Sequence, residues 1–276
     1  MLAAAGWLRA MSVEYLAACA VATAAAVALA LRLPAARSGR RWAGAHATLA
    51  VLFVAAAMGT QQSLARLEGA WPAVSADIAS ASAAELQAAV AALAGELREA
   101  AARALSAPRD PPRAFAALRG VPSGDEERAT ILYRNGAPEA WGGRVRLAPD
   151  SLTAPAAVVR GTFYTVLAVG EVRGDRRALA TAVLHAEPPG DRLAHATDAS
   201  VARRTGVRGF DLRDRPAGPA FRPIAVGPDT LLWARPEPVT EAEVRLRIVE
   251  QALMRGIVLL AAALAAFIVA VWRAAR

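Results

Sequence analysis

The chain contains no lysine; all 32 positions that lysine and arginine share are arginine. That absence excludes a P-loop lysine, a Schiff-base lysine and a kinase-type lysine. Cysteine occurs once, at Cys19, so no second thiol is there to help build a metal site. Histidine occurs three times. His46 falls in an apolar run, His185 on an expected strand and His195 on an expected helix, and no pair has metal-ligand spacing. A phosphoacceptor histidine needs a cytoplasmic helical hairpin, and no segment reads as one. The Asp and Glu residues form no recognisable acid/base pair. No enzyme motif and no cofactor are expected, and an enzyme with an unrecognised site is the weakest of three functional readings. The net charge of +8 comes from arginines that are scattered instead of clustered beside aromatics, so a nucleic-acid surface is not expected.

Long apolar runs are what the chain does have. Hydrophobic residues make up 55% of it, above the usual share of a soluble domain. Three runs, at about residues 15–31, 42–59 and 256–272, lack interior charge and reach the lower length limit for a bilayer core. Trp42 and Trp272 sit at run ends, where interfacial tryptophans concentrate. The first run has a poor signal-peptide flank, Arg9 followed by Glu14, and reads as an uncleaved anchor. The connector RLPAARSGRRW carries Arg32, Arg37, Arg40 and Arg41, and the last run ends at Arg273 and Arg276. Short basic connectors stay in the cytoplasm, which places residues from about Thr60 to Met254 outside.

Between the spans, residues 60–110 read as a helix. Leu64, Leu67, Trp71, Val74 and Ile78, then Leu86, Val90, Leu93 and Leu97, follow a spacing of three and four, an apolar seam for its own domain or for a second copy. Pro72 is expected to kink this helix, and APRDPPR (Ala107 to Arg113) to end it. ILYRNGAPEAWGGRV (Ile131 to Val145) predicts a hairpin about Asn135-Gly136, whose residues tolerate positive φ. VVRGTFYTVLAVGEV (Val158 to Val172) and RRALATAVLHAE (Arg176 to Glu187) predict two longer paired strands turned at Gly174-Asp175. DRLAHATDASVARRTG (Asp191 to Gly206) reads as a helix stopped by Gly206. GFDLRD and DTLLWARPEP read as closing strands. After Pro238, Thr240 and Glu243 form a capping box, opening a helix with no breaker before the last span.

This order of elements, together with ILYRNGAPEAWGGRV and the pair TFYTVLAVGEV and ALATAVLHAE, resembles the PAS-like or Cache sensor modules of bacterial membrane receptors. The resemblance covers about Leu64 to Met254. It implies an α+β membrane protein: three transmembrane helices and an extracytoplasmic PAS-like domain with a long N-terminal helix, an antiparallel sheet (111–238) and a C-terminal helix running into the last span (239–276). Receptors of that kind continue into a cytoplasmic linker and a catalytic domain, so the likeness is to their sensory part alone. It also implies a location in the bacterial inner membrane, contact with lipid, a homodimer through the 64–97 helix and a cytoplasmic kinase or other signalling output. A pocket in such a module lies against the sheet. Tyr133, Trp141, Tyr164 and His185 are its candidate lining, with Arg134 or Arg160 to grip a carboxylate. The leading expectation is ligand sensing. The alternative is an assembly protein whose outer domain docks another envelope protein.

Overall fold

The computed structural model describes residues 2–32, 37–120, 127–146, 155–187 and 196–274. The protein is α+β, with six helices and two antiparallel sheets among those residues. It divides into two compact units, Met1–Val74 with Val239–Arg276, and Ser75–Pro238. The unit boundary therefore falls inside the helix expected at 60–110.

The first unit is helical. It contains α1 (Leu2–Ala10), α2 (Val13–Arg32), the N-terminal part of α3 (Arg37–Leu105) and α6 (Glu241–Ala274). Helices α3 and α6 are each long and apolar enough to cross a membrane. Ile257, Val258, Leu264, Phe267, Ile268 and Val271 of α6 are all exposed, so the helix is apolar on its outward faces as well as at its contacts. The expected kink is present, two residues early: Ala70 leaves helical geometry (φ −142°, ψ 33°) ahead of Pro72, whose ring crowds the preceding turn. Helix α1 has no counterpart in the sequence reading. It packs Trp7 edge-on against Phe53 of α3, with ring centroids 5.7 Å apart, in a small core with Leu16, Cys19 and Ala252. His46 sits beside α6, its Nδ1 2.9 Å from the Ala263 carbonyl oxygen. The basic connector lies largely outside the described residues, and its arginine side chains from Arg32 to Arg40 are not described.

The second unit holds the strands: β1 (Arg128–Arg134), β2 (Ala137–Gly143), β3 (Ala156–Arg160), β4 (Tyr164–Arg173), β5 (Arg176–Ala186), β6 (Phe210–Arg213), β7 (Arg222–Val226) and β8 (Asp229–Pro236). A five-stranded sheet has the order β2-β1-β5-β4-β3, and a three-stranded sheet the order β6-β8-β7. Asn135 (φ 51°) and Gly136 (φ 83°) form the two-residue turn the sequence predicts. The glycine pair after Trp141 has a packing reason. A Cβ on Gly142 would lie 2.0 Å from the Leu118 carbonyl oxygen, so only glycine lets helix α4 (Pro111–Leu118) close on β2.

Three expectations are corrected. Residues 158–172 are not one strand: Gly161–Phe163 turn the chain, and Arg160 and Tyr164 end up on the adjacent antiparallel strands β3 and β4. APRDPPR ends α3 but also starts α4, because Asp110 caps it through the Arg113 amide (3.3 Å) and Pro111 occupies a first-turn position. The helix at 191–206 is α5 (Thr197–Thr205), closed by Gly206 in the left-handed region, while 191–195, with His195, lies outside the described residues.

One core joins both sheets to α3. Leu86, Val90, Leu93 and Leu97 lie at 2–4% exposure against Leu132, Leu167 and Leu184 of the large sheet and Ile224 and Leu232 of the small one. At roughly 1.5–3 kcal/mol for each fully buried aliphatic side chain, this helix–sheet contact is a main source of the unit's stability. The second half of the apolar seam thus serves its own domain.

Candidate functional site

Hairpin geometry decides which candidates meet. The β3–β4 turn is closed by the Gly161 amide donating to the Tyr164 carbonyl (2.7 Å), and the Glu187 amide donates to the Phe163 carbonyl (2.9 Å). A bulge at Thr165/Val166 shifts the register so that Thr165 faces His185. Arg160, Tyr164 and His185 thereby gather at one end of the large sheet. There they line a cleft of about 460 Å³ with Phe210, Asp211, Arg235 and Glu237 from the small sheet and its end. That volume suits a small molecule.

Charge in the cleft is mixed and ordered. Arg160 pairs with Asp214 (Nε to Oδ1, 2.9 Å). Asp211 accepts from Arg213 (3.0 Å) and from Arg235 (3.1 Å), and both guanidinium groups lie over the Phe221 ring, at 5.8 and 5.1 Å. Hydrogen bonding from Arg213 is the main reason the Asp211 carboxyl titrates below its ordinary value, with Arg235 adding to it against the opposing effect of burial. His185 Nδ1 lies 2.5 Å from Asp198 Oδ2 in the first turn of α5, and Thr197 Oγ1 donates to the Val183 carbonyl (3.2 Å). The bond to Asp198 raises the His185 pKa above its ordinary 6.5, outweighing partial burial, with Asp198 and Glu187 charges helping and Arg160 opposing.

This pair makes the α5 attachment pH-dependent. A raised folded-state pKa contributes stability that is complete below the ordinary histidine value and lost as pH rises through the folded value. Hydrogen exchange of the α5 amides is expected to speed up as pH rises above the ordinary histidine value in the wild type, beyond the intrinsic rate change, and not in His185→Gln. Equal pH responses in the two proteins would remove this role from His185.

The other three candidates sit elsewhere. Tyr133 is buried among Ile131, Ala168 and Leu179, under the Arg177 guanidinium at 4.6 Å. Arg134 is bound to Glu139 and donates to the Arg109 carbonyl (3.2 Å). Trp141 is half exposed and meets Phe115 of α4 edge-on at 4.9 Å. The sequence reading missed Asp211, Arg235 and Glu237. FDLR and WARPEP were legible as strands, but nothing local indicates that their ends face the β3–β4 turn.

Chemically, the arrangement holds and orients. The His185–Asp198 pair resembles two parts of a hydrolytic triad, yet neither Thr162 nor Thr165 of the cleft hydrogen-bonds His185 among the described residues. No group of three His, Cys, Asp or Glu residues among the described ones is placed to hold a metal ion. No protein-family model, curated protein or solved structure matches the chain.

Proposed function

We propose that the protein is a membrane-anchored sensory module that takes a small polar molecule in the cleft at the β3–β4 turn and passes the event across the membrane. The observation that carries this reading is the convergence of Arg160, Tyr164 and His185 with Arg235 and Asp211 in one cleft of ligand size. Two long apolar helices support the membrane part, and α2, with its shorter apolar stretch Val13–Ala25, is proposed as the third span. The arginine excess of the connector supports an extracytoplasmic β domain. The uninterrupted α6 supports relay, since a helical ladder resists bending and transmits small displacements. We place the module in a bacterial inner membrane, as a homodimer acting on a kinase or comparable output. The dimer contact is assigned to the α3 stretch around Val74 and Ile78, which is only partly buried in its own chain. The PAS-like or Cache resemblance agrees with a long helix packed on an antiparallel sheet. The additional β6-β8-β7 sheet, which forms one wall of the cleft, was not part of that expectation.

Two experiments test this. A reporter active only outside the cytoplasm is expected to work when fused after Ala107 and to fail when fused at Ser38; equal activity at both sites overturns the topology. Thermal-shift screening of the purified chain against small carboxylates, amines and zwitterions is expected to give a compound that raises Tm by several degrees. A ligand at about a hundred times its Kd adds roughly 2.7 kcal/mol. Arg160→Ala and Arg235→Ala are expected to abolish that shift. If no compound shifts Tm while an envelope protein binds through the half-exposed Trp141–Phe115 pair, the docking alternative replaces sensing.

A further inference from the structure

Strand β6 is an outer strand of the three-stranded sheet, and three of its successive residues, Phe210, Asp211 and Leu212, line the cleft at the β3–β4 turn. Successive side chains of a strand leave by opposite faces. Phe210 and Leu212 turn to the core, while Asp211 meets Arg235 on the other face. A cleft that touches all three therefore follows the open edge of the strand and not either face.

The register shows which backbone groups that edge presents. The Glu237 amide donates to the Gly209 carbonyl (2.9 Å), and the ladder continues as Phe210 opposite Pro236, Asp211 opposite Arg235 and Leu212 opposite Ala234. Bonded and unbonded pairs alternate in an antiparallel ladder. Asp211 thus exchanges bonds with β8, whereas Phe210 and Leu212 turn their N–H and C=O groups outward. Pro236, which has no N–H, sits at an unbonded position, as this pattern requires. No strand pairs with the outer side of β6 among the described residues. Phe210 is almost covered and Leu212 only partly, so Leu212 carries most of the open edge.

Charge marks the two ends of this edge. At its start the Glu237 carboxylate stands beside Gly209, where an added Cβ would lie 3.3 Å from Oε2, and it has no ion pair or hydrogen bond among the described residues. At its end Arg160 reaches Asp214, the residue after β6, through Nε (2.9 Å), which leaves its terminal nitrogens to donate elsewhere. The four residues of β6 span roughly 13 Å at about 3.3 Å each. A hydrogen-bonding edge of that length, with a carboxylate at its start and a guanidinium at its end, matches an extended peptide with free termini.

We infer that the cleft takes a short extended peptide as a further strand, parallel to β6, with its ammonium at Glu237, its carboxylate at Arg160 and its main chain on Leu212. The inference rests on reading this cleft as the ligand site, and it narrows the ligand from polar molecules in general to one class.

Amide hydrogen exchange of the full chain in mild detergent tests it, with tetra-alanine as the probe. At about ten times its Kd the peptide is expected to slow exchange of the Leu212 amide roughly tenfold. Acetylating and amidating its ends is expected to weaken binding about tenfold, by removing both charges. Leu212→Pro deletes the outward N–H, a change that outer strands tolerate, and is expected to weaken binding about tenfold as well. Should that variant fail to fold, tetra-alanine methylated at its inner amides, which cannot donate to the Leu212 carbonyl, puts the same question to the wild type. Unchanged Leu212 exchange, or equal binding of the methylated and plain peptides, overturns the added strand. Equal binding of blocked and free peptides overturns the assignment of its ends. If free alanine or another small compound binds through Arg160 while tetra-alanine does not, the cleft remains the ligand site and the peptide is refuted. A screen in which nothing binds the cleft defeats the underlying reading too.

Discussion

Arg176→Met is expected to destabilise the β unit by about 3 kcal/mol, the low end of the cost of breaking a buried ion pair, because Arg134 still pairs with Glu139. Arg176 and Glu139 are each under 10% exposed and bond in bidentate geometry, Nε to Oε2 at 3.1 Å and NH2 to Oε1 at 2.7 Å. Two further Arg176 protons go to the carbonyls of Ala107 (2.5 Å) and Pro108 (3.0 Å), just beyond the end of α3. One side chain therefore ties the α3 exit to both the β1–β2 and β4–β5 hairpins, and methionine leaves a carboxylate and two carbonyls short of donors. Pulse proteolysis in urea reads the loss. The pH signature follows from Glu139, whose pKa is lowered mainly by its hydrogen bond from Arg176, with further help from Arg134. A depressed folded value contributes stability that is complete above the ordinary glutamate value and lost as pH falls through the folded one. The wild-type unit should weaken on acidification more steeply than Arg176→Met. A variant within about 1 kcal/mol of wild type at neutral pH would show that the network is not a structural tie.

Leu93→Asp is expected to do still more damage. Truncation of such a buried leucine to alanine costs about 2–5 kcal/mol, and a carboxylate at the same place must also be desolvated. Leu93 is 4% exposed in the core shared by both sheets. The substitution should leave the β unit unfolded and protease-sensitive in buffer. Ile78→Asp should cost roughly 1–2 kcal/mol, because its partly buried position lets the carboxylate reach water. Crosslinking between copies is thus best tested with Ile78→Asp alone. Loss of crosslinks with the β unit intact supports the proposed dimer. A folded, protease-resistant Leu93→Asp protein would mean the helix–sheet contact is not as drawn.

These two sites mark the reach of sequence reading. The seam at Leu86, Val90, Leu93 and Leu97 was legible from spacing, yet spacing does not say what covers a seam, and the sheet that does so is distant along the chain. The Asn135-Gly136 turn, the Gly206 stop and the Thr240–Glu243 box were legible because each is a local rule. The box is reciprocal, with the Thr240 amide donating to Glu243 (2.8 Å) and the Glu243 amide to Thr240 Oγ1 (3.3 Å). The turn at Gly161–Phe163 was missed because Thr, Phe and Tyr read as strand residues, so periodicity ran straight through it. β7 was missed because Pro223 demotes a strand, a rule that spares edge strands. Helix α4 escapes a reading in which proline only ends helices, although Asp110 before Pro111 is a start signal. The cleft was half legible, since Arg160, Tyr164 and His185 were in view but its opposite wall depends on which strand ends meet.

Gln87 of α3 bears on how the small sheet meets other chains. Its amide donates to the Ala225 carbonyl (2.8 Å) and accepts from the Ala225 amide (2.7 Å). Ala225 lies at the bulge of β7, an outer strand of the small sheet. A helical side chain there imitates the missing neighbour strand, occupying both backbone groups that an incoming peptide would need. Strand addition, the common route to both peptide recognition and runaway edge-to-edge association, is blocked at that point, so an extended segment seeking to extend this sheet is directed to β6 instead.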